Sequence, residues 1–331
     1  MATVTYKFKD MNNVDDPLDV GAPVPKIRDL VYTEVSRLVN VDPGNDSFAR
    51  LRKGAALRLA GNYTSMFAND NTFLVVEGLA LKRFWPSTNT TTLLKNLTSG
   101  APMDFADTPI GVFFTNGSDI GMVVNDVVEA MPIPDSAVLF DTVSVPSYKV
   151  PVPPGQFVQW FNGTLFTLAF ENGASWLYHT DGYALEVDER ENYFQFPGVP
   201  KMLIAINPGG LFVSCGEKTV YLRGDGADSF QETPIAPYPA IPHTAIVCKA
   251  EQFNIEGISG EVAIWASTRG ICLGTSDGQI INLSQGKVSY QPGKTGAAII
   301  RELNGDIHYV LSMQDTEKEY NAYTPRNITV G

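Results

Sequence analysis

Apolar and polar positions follow one another along this chain in short runs. Val, Ile, Phe, Tyr and Thr collect at 72–76, 111–114, 165–170, 211–213 and 261–266, separated by Gly, Asn, Asp and Pro. β-branched and aromatic side chains in runs this short fit a pleated, half-buried sheet surface. Seven turn dipeptides accompany them: Asn116-Gly117, Asn162-Gly163, Asn172-Gly173, Asp181-Gly182, Asp225-Gly226, Asp277-Gly278 and Asn304-Gly305. A type I′ turn needs φ above zero at both central residues, and these pairs tolerate that best, so each reads as a hairpin signal. The best helical spacing is at 29–38, where Leu30, Val31, Val35 and Leu38 share a helical face.

The runs recur. With Phe73, Val112, Leu165, Phe212, Ile264 and Ile307 as centres, successive gaps are 39, 53, 47, 52 and 43 residues. A four-stranded propeller blade spans about 40–50 residues. The pattern predicts an all-β chain, a single β-propeller of six or seven blades over 38–331 with an extended N-terminal arm over 1–37. The arm is poor in strand signal and rich in Asp and Pro; it reads as a docking arm or as an ordinary irregular segment. The Pro-rich stretch 145–155 (VPSYKVPVPPG) reads equally as a link between blades and as a domain boundary.

Composition narrows the class. Of 331 residues 44% are hydrophobic, and 18 Phe, 13 Tyr and 4 Trp are spread along the length, which excludes a disordered acidic tail. A net charge of −12 excludes nucleic-acid binding through a basic field. Three cysteines cannot staple a domain of this size. No apolar run approaches the ~18–20 residues of a membrane span. Residues 1–12 lack the apolar core and cleavage site of a secretory leader, so the expectation is a soluble protein made in a reducing cytosol. Triplets such as Asn62-Tyr63-Thr64 then read as turns rather than glycan acceptors.

Candidate chemistry is sparse. His179, His243 and His308 lie far apart, and Cys215, Cys248 and Cys272 form no CxxC, so neither metal nor cofactor is expected. Cys215 and Cys272 fall in apolar runs, as small buried hydrophobes do. Gly209-Gly210 and Gly224-Asp225-Gly226 lack the helix that a phosphate-binding glycine loop requires. The richest acidic cluster is Glu186-Val187-Asp188-Glu189-Arg190-Glu191, shortly after Asp181. It reads as a solvated loop or as carboxylates aimed at a substrate, the equipment of a propeller glycosidase. Ser276-Asp277-Gly278 lacks the spacing of a sialidase box, and no Trp is followed by Asp as in WD40 blades. Trp85, Trp160 and Trp176 are candidates for stacking on sugars or for packing between blades.

Several strings resemble a family of tailed-bacteriophage virion proteins. Val39-Asn40-Val41-Asp42, followed by Phe48-Ala49-Arg50-Leu51-Arg52-Lys53-Gly54, is similar to that family's N-V-D strand, turn and R-x-R-x-G strand. Ser65-Met66-Phe67 and the run from Thr72 to Leu81 resemble the next string of the family's first blade. Pro154-Gly155-Gln156-Phe157-Val158-Gln159-Trp160-Phe161-Asn162-Gly163-Thr164-Leu165 resembles the family's P-G-x-x-v-x-x-f-N-G-r-l. Gly209-Gly210-Leu211-Phe212-Val213, running on to Thr219-Val220-Tyr221-Leu222-Arg223-Gly224, is similar as well, so the resemblance spans roughly 38–310.

That resemblance implies a β-propeller subunit of the phage tail, a nozzle or head–tail accessory protein without catalytic residues. Made in the host cytoplasm and located in the virion tail, it would self-assemble into a ring. It would contact portal, adaptor or other tail proteins, let DNA pass without specific binding, and touch no membrane. Asp181, Glu186, Asp188, Glu189 and Glu191 would then face the ring's lumen, where carboxylates repel phosphate. The plainer reading is that net charge keeps the subunit soluble. The alternatives are a carbohydrate- or receptor-binding propeller and a propeller glycoside hydrolase.

Overall fold

A computed structural model describes residues 61–132, 148–182, 185–253, 257–285, 292–303 and 306–314, together with the backbone of strand segments at 7–11, 32–35, 41–43, 49–51, 137–140 and 143–146. Among the described residues, five four-stranded antiparallel meanders follow one another. The first comprises Tyr63–Ala68, Phe73–Glu77, Ala80–Trp85 and Thr90–Asn96; the second Asp104–Thr108, Gly111–Thr115, Ile120–Val124 and Val127–Glu129. The third comprises Phe157–Phe161, Thr164–Glu171, Ala174–His179 and Tyr193–Pro197; the fourth Pro200–Ile206, Gly210–Cys215, Lys218–Arg223 and Gln231–Ala236. The fifth is Ile246–Lys249, Glu261–Ser267, Gly270–Thr275 and Ile280–Asn282, and a hairpin of Thr295–Leu303 and Asp306–Gln314 comes after it. The chain is an all-β propeller.

The core lies between sheets, one layer per junction. Leu74, Val76, Val112 and Phe114 join the first and second sheets, and Phe113, Val158, Leu165 and Ala169 the second and third. Phe161, Phe166, Leu211 and Val213 join the third and fourth; Ile204, Phe212, Tyr221 and Trp265 the fourth and fifth. Ile264 and Leu273 carry the packing on to Ile300 and Tyr309 of the final hairpin. Each predicted run centre falls in the second strand of its unit. Residues there alternate between two buried faces, as in Gly210–Cys215, where Leu211 and Val213 face one junction and Phe212 the next. Such strands read as continuous apolar runs and not as the half-buried pattern expected.

Opening strands of successive sheets are tied by side chains. Ser65 Oγ accepts the Met103 N–H at 2.7 Å, Asp104 Oδ2 accepts the Val158 N–H at 2.8 Å, and Gln159 Oε1 accepts the Ala205 N–H at 3.3 Å. From the second strand of the fifth sheet, Glu261 Oε2 accepts the Asn207 N–H at 2.8 Å. Burial pushes the Asp104 carboxyl up to about 7, against the lowering pull of the Val158 and Phe105 amides. Between the ordinary value of 3.8 and about 7, the folded chain keeps a proton that the unfolded chain has released, so this group's contribution to stability falls as pH rises. Asp104→Asn keeps an acceptor for Val158 and removes the titration. Urea unfolding at pH 5 and pH 8 is expected to show wild type losing about 2 kcal/mol more than the variant over that interval. Equal losses would mean a solvated carboxyl.

Local expectations fare unevenly. Asn162-Gly163 and Asn172-Gly173 have φ of 46° and 82°, and 51° and 82°, and close two-residue hairpins. Asn125-Asp126, at 49° and 64°, is a further such turn without a glycine to signal it. Asn116-Gly117 instead opens a four-residue loop, because Asn116 Oδ1 accepts the Ser118 and Asp119 N–H groups at 3.0 and 2.7 Å. Asp181-Gly182 opens an insertion, and Asp225-Gly226 enters a 3-10 turn with Gly226 extended at φ 177°. Asp277-Gly278 is positive in φ only at Gly278, and Asn304-Gly305 lies outside the described residues. Within 29–38, Tyr32–Val35 is a strand paired in parallel with Lys7–Met11, as its β-branched Thr and Val favour, and not a helix. The rest of the arm lies outside the described residues.

Candidate functional site

The third sheet carries an extra element between its last two strands. Glu186–Asp188 pairs antiparallel with Lys149–Pro151, in the later part of the connection from the second sheet. The acidic cluster expected as a loop therefore begins as a strand. Lys149 Nζ is ion-paired with Glu186, and the hydrogen bond to that carboxylate raises the lysine's pKa. Arg190 lies 3.4 Å above the Tyr148 ring and bonds Asp188 at 3.3 Å, holding that carboxyl below its ordinary range. Asp181 Oδ1 accepts the Asn192 Nδ2–H at 2.5 Å. Glu189 and Glu191 are exposed. The five acids thus share one corner of the third sheet, two of them matched by cations.

Beside this corner a cleft of about 590 Å3 opens between the second and third sheets. Ile120, Met131, Val150 and Val152 line it, with Pro151, Pro153 and Pro154 along the connection, Lys95 and Asp119 on one side, and Glu171, Tyr178 and Glu189 on the other. The Tyr178 hydroxyl donates to Glu171 Oε2 at 3.2 Å. Burial first, then the negative field of Glu171 and Glu189, pushes that phenol up to about 12.

The remaining candidates are absorbed into packing. His179 lies among Phe166 and Phe194 at 5.9 and 5.8 Å, and burial lowers its pKa. His243 comes after the fourth sheet, yet its ring sits 5.1 Å from Phe157 of the third, and burial lowers its pKa to about 4. Cys215, Cys248 and Cys272 are buried and free, and burial raises each thiol. Trp160 stacks on Phe113 at 6.3 Å, Trp176 lies beside Tyr178 and Tyr193, and Trp85 stays 37% exposed beneath the Arg83 guanidinium at 4.9 Å. Among the described residues no three His, Cys, Asp or Glu side chains gather as a metal site. No described helix is long and apolar enough to cross a membrane.

Sequence reasoning missed Asp104 and Asp119. Asp119 had a local signal, standing three residues after Asn116 in a turn between apolar runs. Asp104 had none, because its partner Val158 is 54 residues away.

No protein-family model and no curated protein matches this chain. Among solved structures, the N-terminal domain of Nup159 is similar with a TM-score of 0.44 at 13% identity over 76% of this chain and 73% of that one. The extracellular domain of a two-component-system protein from Bacteroides thetaiotaomicron gives 0.46 at 12% over 84% of this chain and 38% of that one. The WD40 propeller of Doa1 gives 0.32 at 8% over 76% and 93%.

Proposed function

We propose that this chain is a structural virion subunit of a tailed phage, a propeller of the tail nozzle or head–tail accessory ring that works by assembly and not by catalysis. The observation that supports the reading is where the resembling strings fall. Val41-Asp42 of the N-V-D string and Arg50 of the R-x-R string lie on the paired strands Val41–Pro43 and Ala49–Leu51. The P-G…N-G string covers the opening strand of the third sheet and the turn after it, and the G-G-L-F-V and T-V-Y-L-R strings lie on the central hairpin of the fourth. On this reading the strings specify successive hairpins of one propeller.

Side-chain bonds tie the opening strands of the second, third and fourth sheets to one another, and the His243 ring lies 5.1 Å from Phe157. The conduit is the space that several copies enclose. Some of Asp181, Glu186, Asp188, Glu189 and Glu191 face that space, where unmatched carboxylates repel DNA and no base is read.

Locating a tagged copy by electron microscopy of the particle tests the assignment, and a ring next to portal or adaptor is the expected result. Deletion is expected to yield full heads that leak DNA. Intact particles that fail to adsorb, with saturable binding of the isolated chain to host polysaccharide, would favour a receptor-binding propeller instead. Charge reversal of Glu191 to Lys in assembled particles is expected to slow ejection; unchanged ejection would remove the lumen assignment.

A further inference from the structure

The cleft between the second and third sheets has an uneven charge balance. Lys149 and Arg190 neutralise Glu186 and Asp188 next to it, but among the described residues neither Glu171 nor Glu189 has an ion-pair partner. Asp119 is already occupied, accepting from Thr98, Ser99 and Asn116. Lys95, the one lysine of the lining, lies 5.7 Å from the Phe114 ring. Glu171, whose carboxylate accepts only the Tyr178 hydroxyl among the described residues, and Glu189 are therefore left beside Tyr178, in a lining shared with Ile120, Met131, Val150 and Val152.

The wall adds a second, independent bias. Pro151, Pro153 and Pro154 carry no main-chain N–H, so that stretch is poor in donors. Carboxylates beside a donor-poor wall call for an occupant that donates several hydrogen bonds. The volume of about 590 Å3 lies within the roughly 300–1,000 Å3 of ligand sites, room for an arginine side chain with the peptide that presents it.

We infer that this cleft seats an arginine side chain presented by a partner polypeptide. The methylene stem lies along the apolar lining, and the planar guanidinium, with five donors and no acceptor, bridges Glu171 and Glu189 against the Tyr178 ring. A lysine supplies three donors at one point and cannot span both carboxylates or stack. Where the virion reading holds, the partner is a neighbouring tail protein and Glu189 serves the contact rather than the lumen. The cleft chemistry does not depend on that reading, and the test uses the isolated chain, so failure of one leaves the other standing.

The test is an NMR titration of the full chain with Nα-acetylarginine amide and with Nα-acetylcitrulline amide, which keeps the shape and loses the charge. Arginine amide is expected to bind with a Kd on the order of millimolar, weakening with salt, and citrulline amide at least tenfold more weakly. The Glu171→Gln/Glu189→Gln variant, altered at exposed positions, is expected to fold and to lose at least tenfold in arginine affinity. Glu186→Gln, which removes a carboxylate already paired with Lys149, is expected to bind as wild type does. Equal binding of arginine and citrulline amides, no saturation, or wild-type affinity in the double variant would overturn the inference. So would lysine amide binding as tightly as arginine amide.

Discussion

Phe212→Ala is expected to lower the unfolding free energy by about 4 kcal/mol, one of the largest single-residue effects in the chain. The Phe212 ring is fully buried between the fourth and fifth sheets, 4.6 Å from Tyr221 and 5.3 Å from Trp265. It fits because the facing position is a glycine. A Cβ at Gly274 would lie 2.6 Å from Phe212 Cζ and 2.8 Å from Trp265 Cζ3. Truncating Phe212 removes the transfer free energy of a whole ring and leaves a cavity that sheets held on both sides cannot close. Filling the opposite side is also unfavourable, and Gly274→Ala is expected to cost about 2 kcal/mol by overpacking. The two changes should couple: with Phe212→Leu in place, the cost of Gly274→Ala is expected to fall by more than about 1 kcal/mol. Urea unfolding of the four proteins measures this cycle, and strictly additive values would mean that the glycine is not there to admit the ring.

Asp119→Ala is expected to cost about 3 kcal/mol. Asp119 Oδ2 accepts from the Thr98 N–H and hydroxyl at 2.9 and 2.8 Å, the Ser99 N–H at 3.3 Å and Asn116 Nδ2 at 3.3 Å. Burial opposes its ionisation, but the bonds from Thr98, Asn116 and Ser99 prevail and hold the carboxyl below its ordinary 3.8. The same loop reaches the third sheet, where the Thr115 hydroxyl and the Gly117 N–H both donate to the Gly155 carbonyl at 2.7 Å. One turn thus fastens three sheets, and removing its carboxylate strands several donors at once. Because the folded-state pKa is lowered, the contribution is present above the unfolded value and is lost as pH falls through the folded one. Acid unfolding below pH 4 is therefore expected to be less steep in Asp119→Asn than in wild type. Matching acid limbs, or an alanine variant within about 0.5 kcal/mol of wild type, would show that the turn is not a fastener.

The fold class was legible because it rests on local pattern. Strands buried on both faces, such as Gly210–Cys215 and Glu261–Ser267, need uninterrupted apolar residues, and one such strand per unit made the spacing of the units visible. Asn162-Gly163 and Asn172-Gly173 were readable for the same reason, since their backbone angles derive from their own two residues. Asn116-Gly117 was not, because a side-chain bond within its loop outcompeted the hairpin.

The candidate site was legible only as a list of acids. Glu186 and Asp188 look alike in sequence to Glu189, yet the fold gives the first two a lysine and an arginine and turns the third toward a cleft. The fastening contacts join residues 21, 40 and 54 positions apart, at Asp119 with Thr98, Thr115 with Gly155, and Asp104 with Val158. A residue's type and neighbours in sequence set how its strand pairs. The charge state and availability of Asp104, Asp119 and Glu186 depend on donors and cations that distant segments bring to them, and that is a property of packing.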